Sequence, residues 1–128
     1  MRKILIAEDD RDIRELVTLT LTFHGFEVVS AENGARAVEL APTDDFDLIL
    51  MDVRMPKMTG YEACRAIKAQ DKTKDVPVIF LSAKGQEAEI ETGFEVGATQ
   101  YILKPFAPQE LVDTITRILD QQGNRNGV

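Results

Sequence analysis

The chain of 128 residues has one cysteine, no long apolar run and fewer basic than acidic residues, and each of these features excludes some classes of protein. Cys64 is its single cysteine, so no internal disulfide can form, and such cysteine use is typical of a reducing compartment. No run of about 18 apolar residues exists, and the apolar segment near the start ends at Glu8 after only a few positions. We therefore expect a soluble, cytoplasmic domain with no signal peptide and no membrane contact.

Positive charge is scarce as well, since 15 Lys and Arg face 22 Asp and Glu, for a net charge of −7. Binding to nucleic acid needs clustered Lys and Arg, so we expect no direct nucleic-acid binding by this domain. The length and the hydrophobic content of 44% suit one globular domain with a sizeable core. We predict this domain over residues 1–120 and a polar, flexible tail over residues 121–128.

Short apolar segments alternate with segments of helical periodicity along the whole chain. The apolar segments predict strands over 3–7, 27–30, 48–51, 76–81 and 100–103, and the periodic segments predict helices over 11–24, 34–41, 60–69, 86–96 and from 108. Five β-α units require parallel strands with right-handed crossovers and helices on both faces. The predicted fold class is therefore α/β: a doubly wound (βα)5 three-layer sandwich of the flavodoxin-like kind, with strand order 2-1-3-4-5.

Residues capable of chemistry follow the predicted strands. Glu8 and Asp9 follow the first strand, Asp52 the third, Ser82 the fourth and Lys104 the fifth. In open parallel sheets ligands bind at the carboxyl ends of the strands, near the switch point that lies here between strands 1 and 3. The sequence therefore predicts that these five side chains meet at one rim of the sheet.

Three carboxylates at one rim repel one another, and a bound divalent cation offsets this repulsion. Oxygen ligands without Cys or His favour Mg²⁺ or Mn²⁺ over zinc. Lys104 supplies a charge that balances a phosphoryl group, and Ser82 supplies a hydroxyl donor. Asp52, nearest the following loop, is free to attack phosphorus and form an acyl phosphate.

The same positions resemble a known family. The motifs that carry the likeness are Glu8-Asp9, Asp52 with Met55-Pro56 and Gly60, Ser82-Ala83, and Lys104-Pro105-Phe106. In type, order and spacing they resemble the receiver domain of two-component response regulators. The resemblance covers residues 3 to 120.

The resemblance implies a role for each site residue. Asp52 would be the phospho-acceptor and would receive its phosphoryl group from a sensor histidine kinase or a phosphotransfer protein. Ser82 and Lys104 would contact the phosphoryl group. The implied metal ligands are Glu8, Asp9, Asp52 and the backbone carbonyl of Arg54. The Lys104-Pro105 peptide bond would be cis. Such a domain is a signalling switch rather than an enzyme, because its only reactions are self-phosphorylation and autodephosphorylation at Asp52.

The resemblance also implies a route for the signal. Tyr101 matches the family's aromatic switch position, and its ring would turn inward when Ser82 is drawn to the phosphoryl group. This movement would reshape the surface made by the fourth predicted helix, the fifth strand and the last helix. The fourth predicted helix contains Gly93 and is weak, as expected of a mobile element. The receiving partner would be a downstream output protein or an effector domain.

Several positions depart from common patterns of the family. Arg54 and Lys84 lie two residues after Asp52 and Ser82, where the family tunes hydrolysis of the acyl phosphate. Two long cations cannot accept a proton from an attacking water, so we expect a long-lived phosphorylated form.

Thr99, Gln100 and Thr114 replace charged residues that pair across a dimer in the DNA-binding subfamily. This replacement favours a stand-alone regulator or another output class.

Three other functions fit parts of the sequence. A phosphatase of the haloacid dehalogenase type also uses an Asp nucleophile, but it needs a second Asp where this chain has Arg54. A flavodoxin-type electron carrier needs a Ser/Thr/Gly-rich loop after the first strand, where the acids at 8–10 would repel FMN. A docking module that is not phosphorylated would lack Asp52 or Lys104, and both are present.

Overall fold

A computed structural model describes residues 2–83, 95 and 97–127, with side chains described as far as residue 121. The strands are β1 (Lys3–Ala7), β2 (Glu27–Ala31), β3 (Leu48–Asp52), β4 (Val78–Ala83) and β5 (Gln100–Lys104). The helices are α1 (Arg11–Phe23), α2 (Gly34–Leu40), a 3₁₀ turn (Ala41–Thr43), α3 (Gly60–Lys68) and a C-terminal helix (Pro108–Gly127).

The five strands form one parallel sheet in the order β2-β1-β3-β4-β5, which confirms the predicted topology. The register aligns the carboxyl ends of the central strands. Ala7 of β1 pairs with Met51 of β3, and Asp52 pairs with Leu81 of β4. The chemistry-bearing residues that follow these positions are thereby brought to the same edge.

The two faces of the sheet carry separate apolar cores, because side chains alternate along each strand. Leu5, Ile49 and Phe80 point to the face covered by α2 and α3. Ile4, Leu50 and their neighbours point to the face covered by α1 and the C-terminal helix. Strands β1, β3 and β4 are fully covered in this way, so they read as continuous apolar runs in the sequence.

Local sequence signals mark the two ends of α1. The Asp10 side chain caps α1 by accepting from the backbone N–H groups of Asp12 and Ile13. Gly25 ends the same helix with a φ of +91°, a conformation that side chains disfavour. Cys64 is a buried core residue on α3, and burial raises the pKa of its thiol to about 11.

Some element boundaries differ from the prediction. Strand β4 begins at Val78 rather than at 76, and the Pro77 carbonyl instead accepts from the Ile49 N–H at 2.9 Å. Strands β3 and β5 continue to Asp52 and Lys104, so these site residues belong to the strands themselves. The predicted helix over 86–96 lies outside the described residues, apart from Glu95.

The C-terminal helix continues to Gly127, so residues 121–127 have helical backbone. The division into a domain over 1–120 and a flexible tail stays a prediction. None of the helices described here combines the length and the apolar character of a membrane span.

Candidate functional site

The carboxyl edge of the sheet gathers the acidic and basic residues that the sequence singled out. Glu8 follows β1 and is fully buried, with its backbone N–H bonded to the Ala31 carbonyl at 3.1 Å. Asp52 ends β3 and is 5% exposed. Lys104 ends β5 beside Ala83 of β4. These positions line a cleft of about 250 Å³, together with Asp9 and Arg54.

Lys104 bridges the two buried carboxylates. Its ammonium Nζ donates to Glu8 Oε1 at 2.8 Å and to Asp52 Oδ1 at 2.8 Å. These contacts join residues that are 96 and 52 positions apart in the chain. The Lys104-Pro105 peptide bond is cis, as predicted. The predicted closeness of Lys104 to Asp52 is thus confirmed.

Burial is the largest influence on the pKa values of the Glu8 and Asp52 carboxyls. It raises the pKa of Glu8 to about 7, with the Lys104 hydrogen bond opposing the rise and the charge of Asp52 adding to it. Burial likewise raises the pKa of Asp52, against hydrogen bonds from Lys104 and Glu8. For Lys104, burial favours the neutral amine, but the hydrogen bonds to Asp52 and Glu8 outweigh it and raise its pKa. One ammonium therefore does not relieve the crowding of negative charge, which leaves the site suited to a further cation.

Glu8, Asp9 and Asp52 form an acidic cluster. One carboxylate oxygen from each lies within 4.8 Å of the others, with Glu8 and Asp52 buried and Asp9 exposed. Three hard oxygen donors facing one cleft fit Mg²⁺ or Mn²⁺ and do not fit zinc. The exposed position of Asp9 leaves that side of the cluster open to water and to a bound group. The donor set therefore fits the metal that the sequence predicted.

Ser82 lies beneath the cleft rather than on its wall. Its side chain is 2% exposed, and among the described residues its Oγ is the buried side-chain polar atom without a hydrogen-bond partner. The neighbouring residues Leu81 and Ala83 line the cleft. Because a buried hydroxyl without a partner costs free energy, this atom is suited to donate to a group that enters the site.

The loop after Asp52 is held close to the strand by the start of α3. The Gly60 N–H donates to the Val53 carbonyl at 2.9 Å, and a Cβ at position 60 would lie 2.2 Å from the Asp52 carbonyl oxygen. Thr59 and Glu62 form a capping box that fixes the first turn of this helix. The position of Asp52 therefore depends on a glycine eight residues later.

Arg14 is a site residue that the sequence did not single out. Its guanidinium Nη1 donates to the backbone carbonyl of Glu8 at 2.8 Å and so fixes the turn that carries Glu8 and Asp9. The available signal was its place in the first turns of α1, within reach of the Glu8–Asp10 turn. Arg side chains commonly satisfy such carbonyls, but the spacing alone does not distinguish this from a solvent-facing position.

The remaining predicted residues differ in how they stand to the carboxylate cluster. Tyr101 is half-buried on β5, where its ring packs beside Phe80 at 5.5 Å and its hydroxyl donates to the Tyr61 hydroxyl at 3.2 Å. Arg54 lines the cleft with an exposed side chain. Lys84, the other predicted tuning residue, lies outside the described residues.

Comparison with known proteins identifies the family to which the chain belongs. The profile of the response regulator receiver domain family matches residues 4–116. The chain belongs to this family. Receiver domains bind Mg²⁺ at an acidic pocket, and the cluster of Glu8, Asp9 and Asp52 gives this receiver domain such a pocket.

Curated relatives of this receiver domain are response regulators. It is similar to the phosphate regulon transcriptional regulatory protein PhoB of Pseudomonas aeruginosa, with 40% identity over 95% of this chain and 53% of the relative. It is equally similar to the transcriptional regulatory protein CpxR of Escherichia coli, with 40% identity over 99% of this chain and 56% of the relative. The chain thus spans about half the length of the curated relatives it matches.

Solved structures superpose on more than nine-tenths of the chain. The chemotaxis protein CheY4 of Vibrio cholerae has a TM-score of 0.87 and 38% identity, covering 91% of this chain and 98% of that one. The receiver domain of a Pseudomonas aeruginosa sensor histidine kinase has a TM-score of 0.82 and 34% identity, covering 94% and 95%. That structure contains a magnesium ion coordinated in its active-site cleft.

Proposed function

We propose that this receiver domain is a phosphorylation-activated switch of a two-component phosphorelay, with Asp52 as the phospho-acceptor. The observation that supports this assignment best is that the cation, the acidic cluster and the open cleft all meet at Asp52. Its carboxylate is buried at the end of β3, is bonded to Lys104 at 2.8 Å, and belongs to the Glu8–Asp9–Asp52 cluster at an open cleft. A nucleophile, a cation and a metal-suited donor set at one sheet edge are the parts that phosphoryl transfer needs.

The proposed step moves one phosphoryl group. A carboxylate oxygen of Asp52 attacks phosphorus, a new P–O bond forms, and the bond from phosphorus to the imidazole nitrogen of a phosphohistidine breaks. The nitrogen keeps the electron pair of that bond, so the products are an acyl phosphate on Asp52 and a free histidine. Lys104 holds its ammonium beside the reacting carboxylate, and Ser82 Oγ donates to a phosphoryl oxygen.

The acidic cluster would hold Mg²⁺ through Glu8, Asp9, Asp52 and the backbone carbonyl of Arg54. The bound ion would neutralise charge on the phosphoryl oxygens and on the carboxylates. Glu8 is buried and fixed by Lys104, whereas Asp9 faces the open side of the cleft. Arg14 holds the turn that carries both acids through its bond to the Glu8 carbonyl.

The requirement for a divalent cation tests this proposal. On incubation with acetyl phosphate, we expect the intact protein to gain the mass of one phosphoryl group with Mg²⁺ and none with EDTA. The physical reason is that three crowded carboxylates repel a phosphoryl group unless a cation neutralises them. Mn²⁺ should replace Mg²⁺, since both prefer oxygen donors. Equal incorporation in EDTA would rule out the metal role of the cluster.

Response regulators act between histidine kinases and effector domains, and we propose the same two kinds of partner for this chain. A sensor histidine kinase or a phosphotransfer protein would donate the phosphoryl group in the cytoplasm. An output protein or an effector domain would read the surface that includes Tyr101 of β5. The domain would otherwise catalyse only its own phosphorylation and dephosphorylation, without direct contact to nucleic acid or membrane.

A haloacid dehalogenase-type phosphatase is not favoured. Position 54 is Arg, so the cleft lacks the second Asp that such an enzyme needs as a general acid two residues after its nucleophile. The family match over residues 4–116 also points to the receiver domain. The docking-module alternative is likewise not favoured, because Asp52 and Lys104 are both in place.

Arg54 and Lys84 should slow loss of the phosphoryl group. Arg54 lines the cleft, and Lys84 follows Ser82 by two residues. Neither side chain can accept a proton from an attacking water, so we expect the Arg54→Asn and Lys84→Glu variants to lose phosphate faster than the wild type. The measurement is the decay of phosphorylated protein, followed by mass spectrometry after removal of acetyl phosphate. Unchanged decay in both variants would refute this role.

A further inference from the structure

An aromatic cluster connects the loop after Asp52 to the edge strand β5. Phe80 of β4 is fully buried and contacts the rings of two tyrosines. The ring of Tyr61 packs edge-on against that of Phe80 with centroids 5.0 Å apart, and the ring of Tyr101 packs against it with centroids 5.5 Å apart. The two hydroxyls meet at 3.2 Å, with Tyr101 donating to Tyr61. These are the chain's only tyrosines.

The position of Tyr61 is tied to the phospho-acceptor through the backbone. Tyr61 follows Gly60, whose N–H is bonded to the Val53 carbonyl and whose Cα lies against the Asp52 carbonyl. The capping box of Thr59 and Glu62 fixes the same helical turn. A shift of the loop after Asp52 therefore moves the Tyr61 ring together with the start of α3.

The position of Tyr101 is set from the opposite side. Tyr101 lies on β5 in register with Phe80 of β4, so its backbone is fixed by the sheet. Its ring is half-buried and its hydroxyl contacts the Tyr61 hydroxyl on α3. The hydroxyl contact thus joins β5 to α3.

We propose that Tyr61 is a positioning residue that holds the ring of Tyr101 in the observed place and ties that place to the loop after Asp52. This inference rests on the proposed function, because it gives phosphorylation at Asp52 a second connection to β5. The first runs through Ser82 on β4, and the second runs from Asp52 through Gly60 and Tyr61 to Tyr101. Loop movement on phosphorylation breaks the hydroxyl contact and so shifts the balance of positions of the Tyr101 ring.

The Tyr61→Phe variant tests the inference, because it removes the hydroxyl and keeps the ring that packs on Phe80. In protein with ¹³C-labelled tyrosine rings, this variant shows the NMR signal of Tyr101 alone, and Tyr101→Phe assigns the two signals of the wild type. Loss of one neutral hydrogen bond changes the ratio of ring positions by about 2- to 10-fold. We expect the Tyr101 signal of the unphosphorylated variant to lie part-way toward its position in the phosphorylated wild type.

The phosphorylated reference is the wild type with acetyl phosphate and Mg²⁺, and Asp52→Asn under the same conditions is its control. A Tyr101 signal that coincides in the unphosphorylated wild type and Tyr61→Phe proteins would overturn the role of Tyr61. Phosphate uptake that leaves the wild-type Tyr101 signal in place would overturn it as well. If the wild type takes up no phosphate, the proposed function itself fails, and this result is distinct from the other two.

Discussion

Replacing Gly60 with alanine should lower the free energy of unfolding by about 3 kcal/mol, at the upper end of the usual cost of overpacking. The added Cβ would lie 2.2 Å from the Asp52 carbonyl oxygen and 3.0 Å from its carbon, and neither backbone atom can rotate away. The start of α3 must therefore move from the end of β3. We expect the loss in urea denaturation and, because the displaced carbonyl belongs to Asp52, a slower uptake of phosphate.

Gly25→Ala provides the matched control for this prediction. A Cβ at position 25 would meet nothing within 4 Å, but the φ of +91° makes any side chain strained. We expect a cost of about 1 kcal/mol from the backbone conformation alone, and unchanged phosphate uptake, since Gly25 lies at the far end of α1. If Gly60→Ala costs no more than this control, the close approach to Asp52 does not govern the site.

Replacing Lys104 with methionine should destabilise the protein by about 3 kcal/mol at pH 8, because it leaves two buried carboxylates without their cation. Glu8 has a pKa raised to about 7 by burial despite the Lys104 hydrogen bond, so loss of that bond raises it further. When a carboxyl has a higher pKa in the folded state than in the unfolded state, its contribution to stability is complete at pH values below the unfolded-state pKa. That contribution is lost as the pH rises through the folded pKa.

The loss in Lys104→Met should therefore be larger at pH 8 than at pH 5, where the carboxyls take up protons, and Mg²⁺ should restore part of it at pH 8. Thermal or urea unfolding at both pH values, with and without Mg²⁺, measures these differences. Lys72→Met is the control, since the Lys72–Asp45 pair is exposed and 4.0 Å long and should contribute little at either pH. An equal loss at both pH values, unaffected by Mg²⁺, would contradict this account of the site.

Much of the fold could be predicted because local signals agreed with the global arrangement. Strands buried on both faces appear as apolar runs in the sequence, and a polar or charged residue stands at or just after the end of each central strand. Asp10 and Gly25 mark the ends of α1 by chemistry that operates within one turn. The alternation of these segments then leaves few topologies, and the 2-1-3-4-5 order places Glu8, Asp52 and Lys104 together.

Other features depend on contacts between distant parts of the chain. The bond of Lys104 to both Glu8 and Asp52 requires the registers of three strand pairs, β1–β3, β3–β4 and β4–β5, to be known to one residue. The contact of Tyr61 with Tyr101 spans 40 positions and depends on the rotamers of two rings around Phe80. The start of β4 at Val78 follows from the pairing of the Pro77 carbonyl with β3, which no local pattern shows. Such features need coordinates because nothing near them in the sequence determines them.

The covalent modification of Asp52 tests the central claim most directly. Intact protein is incubated with acetyl phosphate and Mg²⁺, and its mass is compared with that of the Asp52→Asn variant treated in the same way. The account predicts that the wild type gains one phosphoryl group and that Asp52→Asn gains none, although the amide keeps the size and shape of the side chain. Equal phosphate gain in both proteins, or no gain in the wild type, would contradict it.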